Sequence, residues 1–223
     1  AYAQELNKRL CLDNKLVRRI TTQAKRQPKR VVFAKSEHYK ILKAAQEVKD
    51  EGIAIPILLG REAKIKQLIK DNALDLDDVK IIDPKSSEQA AIRDQFGGIL
   101  FEKRKRKGMT LTEAQKLMRE RNYFGLMMVE QDMADAFISG ISRNYPVTLR
   151  PALKIIGTEE GVDRVAGMFI LNTKKGTLFL ADTTININPS SRELANIAML
   201  TAKAVRRLNV VPRIALLSYS NFG

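Results

Sequence analysis

Ser139-Gly140 closes an apolar segment, residues 134–138, and Arg143, Thr148 and Arg150 follow closely. These are residue types that hold anions. A guanidinium is planar, permanently charged and matched in shape to a phosphate, and hydroxyls add neutral donors. In open α/β sheets ligands bind beyond the carboxyl ends of strands. If residues 134–138 form a strand, these four side chains stand where an anionic ligand belongs. Asp182, Asn186 and Asn188 follow a second apolar segment, residues 178–181, in the same way. A turn-rich loop with Asn and Pro in their usual places accounts for both segments equally well. On residue types alone the two readings stand level.

The run Lys103-Arg104-Lys105-Arg106-Lys107 is followed directly by Gly108. A helix ending at Gly108 sets these cations at its negative dipole end, worth about 0.3–1 kcal/mol each. Five cations exceed what one helix end needs, so an anion site is the second reading. Other chemistries are narrowed by what the chain lacks. Its single histidine, His38, and single cysteine, Cys11, rule out a zinc cluster, an internal disulfide and any triad without His38. His38 follows Ser36-Glu37 at an expected helix start and reads as a surface imidazole. Neither G-x-G-x-x-G nor G-x-x-x-x-G-K-[ST] occurs, so dinucleotide and P-loop binding lack their fingerprints. No catalytic residue and no metal site is expected in this chain.

The whole composition sharpens that picture. A chain of 223 residues is long enough to bury roughly 70% of its unfolded surface. Hydrophobic residues at 44% and charged residues at 29% fit a globular protein and exclude disorder. The 39 Lys and Arg outnumber the 25 Asp and Glu, a net charge of +14 that calls for an anionic partner. A nucleic acid, a membrane surface and a phosphorylated small molecule all qualify. With no Trp, and no aromatic residue inside the 103–107 run, the stacking platform of a nucleic-acid binder is missing. The best apolar stretch, residues 53–59, is too short to cross a bilayer, and no signal peptide opens the chain. Neither nucleic acid nor membrane is expected as a partner, and the lone cysteine fits the reducing cytoplasm.

The elements that must position these residues follow from periodicity. Residues 4–26 read as a basic helix with a break near Asp13-Asn14, ended by Pro28. Strands are expected at 31–34, 55–59 and 79–82, with helices at 37–51 and 61–71 between them. This alternation builds a parallel α/β sheet. Capping boxes at Ser86-x-x-Gln89, Thr110-x-x-Glu113 and Ser190-x-x-Glu193 predict three further helix starts. A strand at 134–138, a helix at 152–157 and a hairpin of 167–171 with 178–181 follow. A helix at 192–208 and a buried strand at 213–217 complete the pattern. That last helix has Leu194, Ile197, Ala198, Thr201, Ala202 and Val205 on one side, which suits a core or half an interface. Both ends read as cut, so a piece of a longer polypeptide is expected.

Several blocks are similar to a known family. They are residues 30–34, 52–60, 103–110, 134–140, 148–153, 181–186 and 212–220, in order and spanning nearly the whole chain. They resemble the phosphate acetyltransferase/butyryltransferase family. Residues 2–6, 12–16 and 121–125 further resemble the C-terminal phosphotransacetylase-like domain of large bacterial NADP-dependent malic enzymes. The resemblance implies a three-layer α/β/α fold with mostly parallel sheets, in two subdomains with a ligand cleft between them. The expected division is a basic helical linker at 1–26, a first α/β domain at 27–143 and a second, incomplete at its C-terminus, at 144–223. It also implies a homo-oligomer built through the second domain.

The function implied is regulatory. In such malic enzymes this module senses acetyl-CoA and restrains an upstream domain that decarboxylates malate oxidatively, where NADP and a divalent metal would bind. The alternative is a catalytic phosphate acetyltransferase, converting acetyl-CoA and phosphate to acetyl phosphate and CoA. Arg104 and Arg150 occupy positions matching arginines that contact CoA or phosphate in the transferases, with Ser139, Arg143 and Thr148 beside them. The transferases carry a histidine where Arg143 stands. Their Ser-Arg pair and the Asp after it fall in a segment beyond Gly223. This chain alone is therefore expected to bind acetyl-CoA without turning it over.

Overall fold

The computed structural model describes residues 15–141, 145–162, 164–173 and 176–217. They fall into two compact units, one of Gln23–Gly157 and the other of the described residues before Gln23 and after Gly157. Helix α1 (Lys15–Arg26) leads into β1 (Lys29–Phe33), α2 (Tyr39–Asp50), β2 (Ala54–Leu59), α3 (Glu62–Asp71) and β3 (Lys80–Ile82). Then come α4 (Ala90–Arg104), α5 (Leu111–Leu117), α6 (Arg121–Glu130), β4 (Ala136–Ile138) and α7 (Tyr145–Ile155).

The four strands form one parallel sheet in the order β3-β2-β1-β4, with Phe33 opposite both Leu58 and Ile138. Because every crossover is a helix, both faces must be apolar. Successive strand residues point to opposite faces, and the core divides accordingly. Val32, Ile57 and Leu59 pack with Phe96, Leu100, Phe124 and Met127, from α4 and α6. Val31, Phe33 and Leu58 pack with Leu42, Ala45, Ile65 and Ile69, from α2 and α3. The result is an α/β fold with a parallel central sheet and helices on both sides. Phe96 and Phe124 meet with ring centroids 5.3 Å apart and planes tilted by 56°, a favourable aromatic geometry. At Gly125 a Cβ would stand 2.6 Å from Phe137, so α6 approaches β4 as only glycine permits.

Helix starts and stops follow local chemistry. Gly52 and Gly108 carry positive φ, 65° and 82°, where the sequence places the ends of α2 and of the 103–107 run. Thr110 accepts from the Glu113 N–H at the start of α5. The box expected at Ser86 and Gln89 does not form. Helix α4 begins at Ala90 with Gln89 as its N-cap; the Ser86 N–H donates instead to the Asp83 carbonyl in a turn, and the Ala90 N–H donates to the Ser87 carbonyl. The helix expected at 152–157 starts earlier, at Tyr145, and carries Pro151 inside it. Helix α7 packs on α6 and α4, and the first unit includes it, running to Gly157.

The other unit holds an antiparallel hairpin, β5 (Met168–Thr173) with β6 (Gly176–Ala181), and α8 (Ser191–Arg207), which lies against β6. Ser190 and Glu193 make the full capping box that opens α8. Ile197, Ala202 and Val205 are buried, whereas Leu194 and Met199 are exposed. Residues 213–217 are not a strand. Their Ile214, Leu216 and Leu217 are exposed, and among the described residues no strand lies beside them to complete a ladder.

Candidate functional site

In the sheet order β3-β2-β1-β4, β2 and β3 lie on one side of β1 and β4 on the other. Beyond the carboxyl ends of β1 and β4 the chain passes to α2, which packs on one face of the sheet, and to α7, which packs on the other, so the two loops part where open α/β sheets bind ligands. The Ala34 N–H donates to the Ile138 carbonyl between the two strand ends, at 3.0 Å. Two loops stand there: residues 34–38 after β1 and Ser139-Gly140 after β4.

On the β4 side, Ser139 Oγ donates to Asn122 Oδ1 at 3.0 Å. Asn122 is buried, one of two buried polar residues among those described. Its amide in turn faces the Val147 carbonyl, with Nδ2 at 3.5 Å. The reason lies in the sequence. Pro151 has no N–H, so the carbonyl four residues earlier, that of Val147, loses its helical partner. Asn122 supplies the missing donor and thereby ties α6, the Ser139 loop and the first turn of α7 together. Thr148 is half-buried and Arg150 exposed on that helix. Arg143 lies outside the described residues.

Arg104 sits elsewhere in the same unit. Its Nε donates to the Lys154 carbonyl at 2.7 Å, and its terminal nitrogen to the Leu153 carbonyl. Lys103 Nζ donates to the Ile155 carbonyl at 3.1 Å and pairs with Glu130. Lys103 and Arg104 thus cap the C-terminal carbonyls of α7, groups that a helix leaves unsatisfied. Lys105 pairs with Glu102, while Arg106 and Lys107 are exposed. The structure brings Ser139 together with α7, the helix of Thr148 and Arg150, and sets Arg104 at that helix's far end.

On the β1 side stands a group that residue typing passed over. Glu37 accepts from the Arg61 N–H at 3.0 Å, from Arg61 Nε at 3.1 Å and from its terminal nitrogen at 3.2 Å. Arg121 donates to the same carboxylate, and Lys64 Nζ lies 3.4 Å away. Burial works against ionisation here. The hydrogen bonds from Arg61 and the charge of Arg121 outweigh it and hold Glu37 at about 2, down from 4.5. At Gly60 a Cβ would stand 3.2 Å from Glu37 Cγ, so the missing side chain leaves room for this approach. The signal was available: Glu37 and Arg61 follow the carboxyl ends of β1 and β2, to which the strand-end rule applies as it does to β4.

The second polar set resolves as structure. Asp182 Oδ1 accepts the N–H of Gly167 at 2.9 Å and faces those of Thr184 and Ile185, while Oδ2 accepts that of Asn186 at 2.8 Å. Asn186 also donates from its side chain to Asp182 and to the Val165 carbonyl. Burial opposes ionisation of Asp182, but these donors lower its pKa. Asn188 takes a left-handed turn position, φ 49°. His38 is the N-cap of α2, its Nδ1 accepting from the Lys40 N–H at 3.2 Å. Among the described residues no three His, Cys, Asp or Glu stand together as metal ligands, and no helix is long and apolar enough to cross a membrane.

A parallel α/β unit with polar and cationic side chains at the carboxyl edge of its sheet is the class these observations define. The chain belongs to the phosphate acetyl/butaryl transferase family, whose profile matches residues 15–223. It is 38% identical to the phosphate acetyltransferase of Helicobacter pylori over 91% of this chain and 38% of that protein. The Clostridium acetobutylicum phosphate acetyltransferase is 36% identical over 93% of this chain and 64% of its own length. The NADP-dependent malic enzyme of Rhizobium meliloti is 33% identical over 100% of this chain and 29% of its own length. This chain thus spans less than two thirds of each of these relatives. The EutD phosphotransacetylase from Staphylococcus aureus superimposes with a TM-score of 0.81 at 33% identity, over 92% of this chain and 61% of that one.

Proposed function

We propose that this phosphotransacetylase-like domain is the regulatory, acetyl-CoA-sensing part of an NADP-dependent malic enzyme. One observation carries the reading. The malic enzymes of Rhizobium meliloti, Salmonella typhimurium and Escherichia coli match over 100% of the chain, whereas the two transferases above match over 91% and 93%. The residue set agrees with binding rather than turnover. Acetyl transfer needs the CoA thiol deprotonated near neutral pH, hence a positioned base. Arg143 stands where the transferases carry histidine, and an arginine stays protonated.

Arg150 and Thr148 on α7 and Ser139 after β4, together with Arg143 in the intervening sequence, hold the anionic groups of acetyl-CoA, and charge-assisted bonds are worth roughly 1.5–3 kcal/mol. Sensing needs only differential binding: a tenfold preference for one state shifts the balance by about 1.4 kcal/mol. NADP and a divalent metal act in the malate-oxidising part of the polypeptide, and no step in this domain runs through them. The protein works in the cytoplasm as a homo-oligomer, for which light scattering should give at least a dimer mass.

A second reading, catalytic phosphate acetyltransferase, is favoured by the higher identities to transferases, 38% and 36% against 33%. Thiol release from acetyl-CoA plus phosphate, measured on the full polypeptide that carries this sequence, separates the two. The regulatory reading expects binding by calorimetry with no turnover above the uncatalysed rate. Sustained turnover establishes the transferase reading instead.

A further inference from the structure

Glu37 is one carboxylate facing three cations: Arg61, Lys64 and Arg121. Among the described residues none of the three pairs with a second carboxylate; Asp83 adds only a longer-range attraction to Arg61. Arg61 directs two of its five side-chain N–H groups at Glu37 and Arg121 one of its five, which leaves most of their donors unused. The cluster is reachable. Arg61 is 62% exposed, Lys64 48% and Arg121 27%, whereas Glu37 is only 13% exposed. It stands at the carboxyl ends of β1 and β2, the edge at which α/β sheets bind ligands.

We infer that Arg61, Lys64 and Arg121 form a phosphate-binding site in which Glu37 acts as the built-in competing anion. A phosphate matches the fork of each guanidinium and neutralises the surplus positive charge, and Glu37 limits the affinity by holding the same donors. The phosphate is either the free ion or a phosphate group of a CoA-type ligand; both present the same oxygens. The inference goes beyond the acetyl-CoA-sensing reading and does not depend on it, because free phosphate binding is measured without acetyl-CoA.

Calorimetric titration of the full polypeptide with inorganic phosphate is the test. The R61A/K64A double variant should bind phosphate at least tenfold more weakly than wild type. Lys66→Ala, which removes one positive charge from the helix that carries Lys64 but pairs with Glu62, should leave binding unchanged. Glu37→Gln, checked for folding by circular dichroism, should bind phosphate severalfold more tightly, since the competitor's charge is gone. A parallel acetyl-CoA titration identifies the source. Weakened acetyl-CoA binding in R61A/K64A points to a CoA phosphate, and unchanged binding to the free ion. Wild type that fails to bind phosphate, or a double variant with wild-type phosphate affinity, overturns the inference.

Discussion

Glu37 and Asp182 are both carboxylates in loops that leave strand ends, and both are kept ionised against the cost of burial, yet by opposite means. Glu37 is held by charged side chains. Asp182 is held by backbone N–H groups and the amide of Asn186. Backbone donors carry no net charge, so Asp182 uses them up and leaves nothing to attract a ligand. Three cations around one carboxylate leave positive charge over, and that surplus separates a site from a structural knot.

The contrast breaks most sharply at Glu37. Its pKa is depressed from 4.5 to about 2, so its contribution is complete above pH 4.5 and is lost as pH falls toward 2. That contribution is about 2–3 kcal/mol. Glu37→Gln should lower stability by this much near neutral pH and flatten the acid limb of the unfolding curve. An unchanged pH dependence in denaturant melts contradicts the ring of cations. At Asp182 the same logic predicts a local effect. Asp182→Ala should cost about 2 kcal/mol and expose the amides of Gly167, Thr184, Ile185 and Asn186 to hydrogen exchange. Retained protection of those amides would show that the carboxylate does not hold the loop.

Three smaller effects sharpen the comparison around α7 and the carboxyl end of β4. Arg150→Ala should weaken acetyl-CoA binding about tenfold, about 1.4 kcal/mol, with little change in melting temperature. Arg104→Ala should do the reverse, because its guanidinium caps the carbonyls of Leu153 and Lys154. Equal loss of affinity in both would place Arg104 in the site. Asn122→Ala removes the donor facing the Val147 carbonyl and should cost about 1 kcal/mol, read by thermal unfolding. No loss there means that another group satisfies this carbonyl.

The parallel sheet was legible because its strands are short β-branched runs between amphipathic helices, and Gly52 and Gly108 mark helix ends that the structure keeps. Helix α7 was read short because Pro146 and Pro151 argue against a helix. Pro146 sits in its first turn, where a missing N–H costs little, and Asn122 compensates for Pro151 from a distance in sequence. Residues 213–217 look like a strand by composition, but a strand needs a neighbour, which composition cannot supply. At the candidate site, Ser139 and the α7 residues are picked out in the sequence by the carboxyl end of β4. Glu37, Arg61, Lys64 and Arg121 are not, since their meeting depends on three separate elements converging. Arg104 shows the converse: its charge was legible, but its carbonyl partners fifty residues away were not.

The proposed function requires that this domain bind acetyl-CoA without consuming it. Malate-dependent NADP reduction by the full polypeptide, followed as acetyl-CoA is added to wild type and to Arg150→Ala, tests it most directly. The account predicts that acetyl-CoA lowers the wild-type rate, that the concentration for half the effect rises about tenfold in the variant, and that the acetyl-CoA is recovered intact. A wild-type rate indifferent to acetyl-CoA, or acetyl-CoA converted to CoA during the assay, would contradict it.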